Sequence, residues 1–226
     1  MHLSRVQADG LLLFVALIWG SAFVAQNWGM ASVGPMSFTG VRFLIGALVV
    51  LPLALREQRA LRRRHSALSG TDWLHIAGLG GLLCAGAALQ QIGILSTTVT
   101  NAGFLTAVYV PLVPLCGWAL LGERPHALVW PCALACLAGT WLLSGGGAVA
   151  FNQGDAWVLA SVLPWTLHVL LVGRVAERLA APFAVACGQF VACGGVALAI
   201  GLATEPTTWA GLHQAWGAIA YTGIMS

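Results

Sequence analysis

Long apolar runs joined by short polar links dominate this chain. Seven runs come close to or reach the ~20 residues that a helix needs to cross a hydrocarbon core of ~30 Å. They are Leu11–Met30, Met36–Leu55, Trp73–Ile94, Thr100–Leu121, Leu128–Ser144, Ala156–Val175 and Phe183–Ala203. An eighth begins at Trp216 and is still apolar where the sequence stops at Ser226. The first run is too long for a signal-peptide core, lacks a clear cleavage site, and is followed at once by a second span. It reads as a retained helix.

Composition agrees with this pattern. Residues are 59% hydrophobic and 8% charged, whereas a soluble domain is about one quarter charged. So few charges cannot cover a water-facing surface, so the solvent is lipid over most of the chain. The predicted class is an all-α integral membrane protein.

The placement of charge predicts orientation. All ten basic residues are arginine, which points to a GC-rich, bacterial genome. Arg5, then Arg56, Arg59, Arg62, Arg63 and Arg64, then Arg124, then Arg174 and Arg178 fall in alternate links; the opposite links hold none. By the positive-inside rule the N-terminus is cytoplasmic, in a multi-pass protein of the inner membrane. The net charge of +3 is too small to suggest a nucleic-acid partner. Eight of the ten tryptophans fall at or near run ends, where aromatic belts sit; Trp19 and Trp165 are mid-run.

Those two tryptophans expose a duplication. LIWGSAFV surrounds Trp19 and LPWTLHVL surrounds Trp165. Pro35 and Pro182 follow at similar distances, and from each the chain reads PMSFTGVRF and PFAVACGQF, which aligns Arg42 with Gln189 and Phe43 with Phe190. Farther on, WLHIAGLGG from Trp73 resembles WGAIAYTGI from Trp216. The repeat unit is five helices, an odd number, so the second copy is inserted upside down. This is the inverted-repeat plan of many secondary transporters, with the site near the midplane between the halves. The expected units are residues 1–147, helices one to five, and 148–226, helices six and seven with the start of eight. Ten helices are expected in the intact protein, of which about seven and a half are present.

NAGFLTAVYVPLVPLCGWALLGERP, residues 101–125, resembles the fourth helix and following loop of EamA-type transporters of the drug/metabolite transporter superfamily. ALIWGSAFV, residues 16–24, is similar to that family's opening, and Pro35 to Phe43 to its second helix. The likeness is strongest over residues 11–145. It implies ten helices in two units, and export or exchange of small metabolites, amino acids or drugs.

Candidate site residues are the polar and aromatic groups inside the runs, because such groups turn away from lipid to pack, bond or bind substrate. Trp19 and Trp165 are candidate walls of a central cavity, suited to an apolar or cationic group. Gln26, Gln90 and Tyr109 are candidates to hydrogen-bond a polar solute, with Gln91 and Asn101 weaker ones; interhelical bonding is the structural alternative. Arg42 could attract an anionic group or snorkel. His168, one turn past Trp165, could take and release a proton or serve only in packing. Every carboxylate lies at a helix end or in a link, so no mid-membrane carboxylate relay is visible. Pro111, Pro114 and Pro164 could be hinges or fixed kinks.

The six cysteines show no CxxC spacing, and GLGG at Gly78 lies in an apolar run without a βαβ context, so no metal, nucleotide or cofactor is expected. The leading reading is a secondary transporter working by alternating access as an exporter, with a small-molecule substrate and either a proton or a counter-substrate as its partners. A membrane-embedded enzyme would need HExxH, paired carboxylates or GxSxG, which are absent. A non-transporting subunit has little use for an inverted repeat.

Overall fold

The computed structural model describes residues 4–143 and 151–225. Among them are nine helices: α1 Arg5–Met30, α2 Pro35–Arg63, α3 Gly70–Ile94, α4 Val99–Ala107, α5 Tyr109–Leu121, α6 Val129–Leu143, α7 Gln153–Leu179, α8 Pro182–Thr204 and α9 Trp209–Met225. Taking α4 and α5 as one span, six helices are long and apolar enough to cross a membrane. The class is all-α and multi-pass, as the apolar runs predict.

Several boundaries differ from the sequence reading. The fourth run is not one straight helix, because it breaks at Val108. Pro111 has no N–H to offer Ala107, four residues back, and α4 ends at Ala107. Pro52 and Pro164 sit inside unbroken α2 and α7. The eighth helix starts at Trp209 rather than Trp216. Thr208 Oγ1 accepts from Gly211 N at 3.1 Å at that end, and the polar His213 and Gln214 interrupt the apolar run without interrupting the helix. Finally, α2 and α7 extend past their apolar runs to Arg63 and Leu179, through residues that favour helix. Ser144 and the expected 147/148 unit boundary lie outside the described residues.

The helices start in two different ways. α1, α3 and α7 carry capping boxes, Ser4 with Gln7, Ser69 with Asp72 and Asn152 with Asp155. Each satisfies two of the free N–H groups at a helix start. α2 and α8 instead begin with Pro35 and Pro182 and have no side-chain cap of their own. Their free donors are met from across the fold. Glu205, just past the end of α8, accepts from Met36 N and Ser37 N, both at 2.8 Å. Glu57, in the last turns of α2, accepts from Ala184 N at 2.7 Å. Each carboxylate also faces the positive end of a helix dipole. The two helices therefore run antiparallel, each closing the other's start.

Two further antiparallel pairs flank this one. α3 packs on α7, with Asp72 near Arg178 at one end (3.5 Å) and Gly93 against Gly154 at the other. α1 packs on α9, with Ser32 against Gly211 and Ser21 Oγ 2.6 Å from Tyr221 Oη. Small residues set these distances. A Cβ on Gly40 would lie 2.6 Å from Leu198 N, and one on Gly154 would lie 2.6 Å from Gly93 O. Phe38, Val158 and Ile219 anchor one apolar core; Leu83, Cys84, Cys193 and Ala197 form another.

Candidate functional site

The second of these cores carries the polar cluster. Trp165 on α7 packs against it together with Phe43 and Phe190. Gly86 makes room for the indole: a Cβ there would lie 3.2 Å from the ring. One turn on, His168 is 8% exposed and stands edge-on to Trp165, with centroids 6.1 Å apart and planes at 88°. His168 Nε2 donates to Gln189 Oε1 at 2.7 Å. Arg42 is 6% exposed, with its guanidinium carbon 4.7 Å from the Phe43 ring centroid, a distance at which a cation is attracted to the ring face. Phe43 and Phe190 meet at 5.6 Å, so the two positions aligned by the duplication touch.

Several buried polar atoms here lack a hydrogen-bond partner among the described residues. They include Trp165 Nε1, His168 Nδ1 and Arg42 Nε. A buried polar atom left unpaired costs roughly 1–3 kcal/mol, so such atoms are where a solute or water gains most by binding.

The other candidates are placed differently. Gln90 on α3 donates to Thr106 Oγ1 at 2.9 Å, and Thr106 in turn donates to Ala102 O at 2.7 Å. Gln91 is fully buried, with neither amide atom partnered. Gln26 donates to Ala22 O at 3.0 Å within its own helix, leaving Oε1 free. Trp19 is 52% exposed on α1, outside the packed cluster that holds Trp165. Tyr109 opens α5 directly after the break and lines a wide, mostly apolar cleft of about 680 Å³ between α5, α6 and Val169 of α7. That cleft does not include Trp165 or His168. The structure thus gathers Arg42, Trp165 and His168 around one core and leaves Trp19 and Tyr109 on surfaces of their own.

Gln189 and Thr106 are the partners that sequence reasoning missed. Gln189 was visible only as the counterpart of Arg42, and the duplication gave no hint that it would meet His168. Thr106 carries no signal until α4 lies beside α3.

Residues 7–145 match the model of the EamA-like transporter family. The chain belongs to the EamA-like transporter family. An uncharacterized transporter of Archaeoglobus fulgidus is 31% identical over 185 residues, 82% of this chain and 54% of that protein. The uncharacterized inner membrane transporter YedA of Escherichia coli is 27% identical over 167 residues, 74% of this chain and 49% of YedA. The chain thus spans about half the length of these relatives. A crystal structure of a protein at 22% identity superposes with a TM-score of 0.64 over 93% of this chain and 79% of that one, a likeness of fold. Membership and the six helices long and apolar enough to cross a membrane make this a multi-pass membrane protein of a transporter family.

Proposed function

We propose that this EamA chain works as a secondary active exporter of small metabolites, amino acids or drugs, by alternating access between two inverted five-helix units. Residues 1–147 form the first unit, and 148–226 belong to the second. The N-terminus and the arginine-rich link between α2 and α3 face the cytoplasm of a bacterial cell.

The observation that carries this reading is the reciprocal capping of α2 and α8. Glu57 closes the start of α8 and Glu205 closes the start of α2. An axis in the membrane plane that exchanges the two units exchanges these contacts as well. It also exchanges the α1–α9 pair with the α7–α3 pair, first helix on third in each case. Two halves related in this way have two equivalent arrangements, inward-open and outward-open.

In this reading the solute sits between the units, where Trp165, His168 and Arg42 converge. The first unit contributes Arg42 to that space, while Trp19 and Tyr109 stand on surfaces of their own. Indole faces suit an apolar or cationic portion, and the unpaired N–H groups suit an acceptor such as a carboxylate. An amphipathic amino acid has both. A proton or counter-substrate supplies the drive, with His168 as the titratable group nearest the solute.

The test is uptake by proteoliposomes holding the whole protein, against a panel of amino acids and amphipathic cations under an imposed proton gradient. The proposal expects saturable uptake of at least one class that collapses with the gradient. Uptake equal to that of protein-free vesicles across the panel, by protein shown to be folded, would count against it.

A further inference from the structure

The charged end of α2 takes no part in the transport site, and its arginines have no ion-pair partner among the described residues. Arg56, Arg59, Arg62, Arg63 and Arg64 are all exposed. The ion pairs among the described residues use Arg174 and Arg178 instead. Of the carboxylates close by, Glu57 is engaged with Ala184 N, and Asp72, next to Trp73, with Ser69 and Arg178.

At 100° per residue, Arg56, Arg59, Arg62 and Arg63 fall within an arc of about 120° on one side of the helix. Ala54, buried against the core that contains Cys187, and Glu57, which meets α8, lie on the other side. The guanidinium face therefore points away from the protein, at the level where an apolar span meets the headgroups.

The loop then folds back to build a wall. His65 takes a left-handed conformation (φ 56°), and Ser66 N donates to Leu61 O at 3.0 Å. The reversal brings Ala67, Leu68 and Trp73 beside Gln58, Leu61 and Arg62, around a notch of about 60 Å³. One water needs roughly 10–15 Å³ on the same measure, so the notch admits a small polar group and not a metabolite. Leu61, Ala67, Leu68 and Trp73 make the apolar part of its lining, as suits a group that hangs from acyl chains.

We propose that this notch and the arginine face beside it form a binding site for the phosphate of an anionic phospholipid. Guanidinium groups hold phosphate oxygens through paired N–H bonds. Each basic residue near an anionic surface adds an attraction of its own. The site draws the end of α2 onto the headgroup layer and fixes the depth of the α2–α8 pair.

The test uses the full-length protein in detergent, titrated separately with phosphatidylglycerol, phosphatidylcholine and soluble glycerol phosphate, with binding read by native mass spectrometry and by melting temperature. Phosphatidylglycerol is expected to remain bound and raise the melting temperature, with the other two far weaker. Replacing Arg59, Arg62 and Arg63 by Gln is expected to weaken phosphatidylglycerol about tenfold to a hundredfold. The same three changed to Lys keep the charge that orients the helix but lose the paired bonds, and should fall between. Arg124→Gln is the control and should bind as wild type does. Equal retention of the two lipids, or unchanged affinity in the Gln variant, overturns the proposal. Glycerol phosphate binding as tightly as phosphatidylglycerol also overturns it, in favour of a soluble phosphoester.

Discussion

His168 on α7 donates its Nε2 hydrogen to Gln189 Oε1 on α8 across 2.7 Å. An amide oxygen can only accept, so this contact fixes the proton on Nε2 and turns Nδ1 to the interior, where it has no partner among the described residues. The bond ties together two helices of one proposed unit. It also leaves a single ring nitrogen available to a solute or a proton.

Removing the acceptor should therefore separate structure from transport. Gln189→Leu is expected to lower stability by about 0.6–2 kcal/mol, the usual range for interhelical side-chain bonds in membranes. His168→Gln keeps an amide able to bond Gln189 but cannot take a second proton. It is expected to retain substrate exchange and lose the pH dependence of transport. A pH profile of the His168→Gln variant that overlays the wild type would remove His168 from the coupling.

The reciprocal caps should be equivalent. Glu57→Ala and Glu205→Ala each leave helix-start donors unmet and are each expected to cost about 0.5–2 kcal/mol. The two sites lie at opposite ends of the α2–α8 pair, so their effects should add in the double variant. Melting curves of the three variants check this; two single variants as stable as wild type would show that water replaces both caps without loss.

Close approach of α2 to α8 makes a sharper prediction. A Cβ on Gly40 would meet the backbone of Leu198 at 2.6 Å, whereas one on Gly78 would meet nothing within 4 Å. Gly40→Ala should destabilise by about 1–3 kcal/mol, the common cost of overpacking. Gly78→Ala should be neutral or slightly stabilising, since alanine is the better helix residue. Thermal unfolding of the pair in the same detergent compares them directly.

How much of this was legible in the sequence depends on the range of the interaction. The spans were visible because each apolar run answers to the bilayer alone. Pro111 marked a possible kink, and the helix ends at Ala107, its fourth residue back. The start of α9 was misplaced because His213 and Gln214 break hydropathy without breaking a helix. The Trp165–His168 neighbourhood was visible because one helical turn relates them. What stayed hidden were partners chosen by tertiary packing: Gln189 for His168, Thr106 for Gln90, Glu205 for α2. Glu57 and Glu205 read as ordinary helix-end charges until the antiparallel pairing places each one over a helix start.

The orientation follows from arginine placement and is tested at Ala60. In a background lacking the six native cysteines, Ala60→Cys should be labelled by an impermeant reagent only after the cells are opened. Strong labelling from outside intact cells would reverse the assignment.

The central claim is a solute site at Trp165, His168 and Arg42 between two units that exchange access, and counterflow measures it most directly. Proteoliposomes holding the whole protein are loaded with unlabelled substrate and given a trace of labelled substrate outside. The account predicts a transient accumulation of label above equilibrium. Trp165→Ala should reduce it about tenfold or more, in protein that still inserts and melts cooperatively, whereas Trp19→Ala should leave it as in wild type. Accumulation as in wild type for Trp165→Ala, or a loss that tracks only the loss of folded protein, would contradict the account and leave the Trp165 ring as packing.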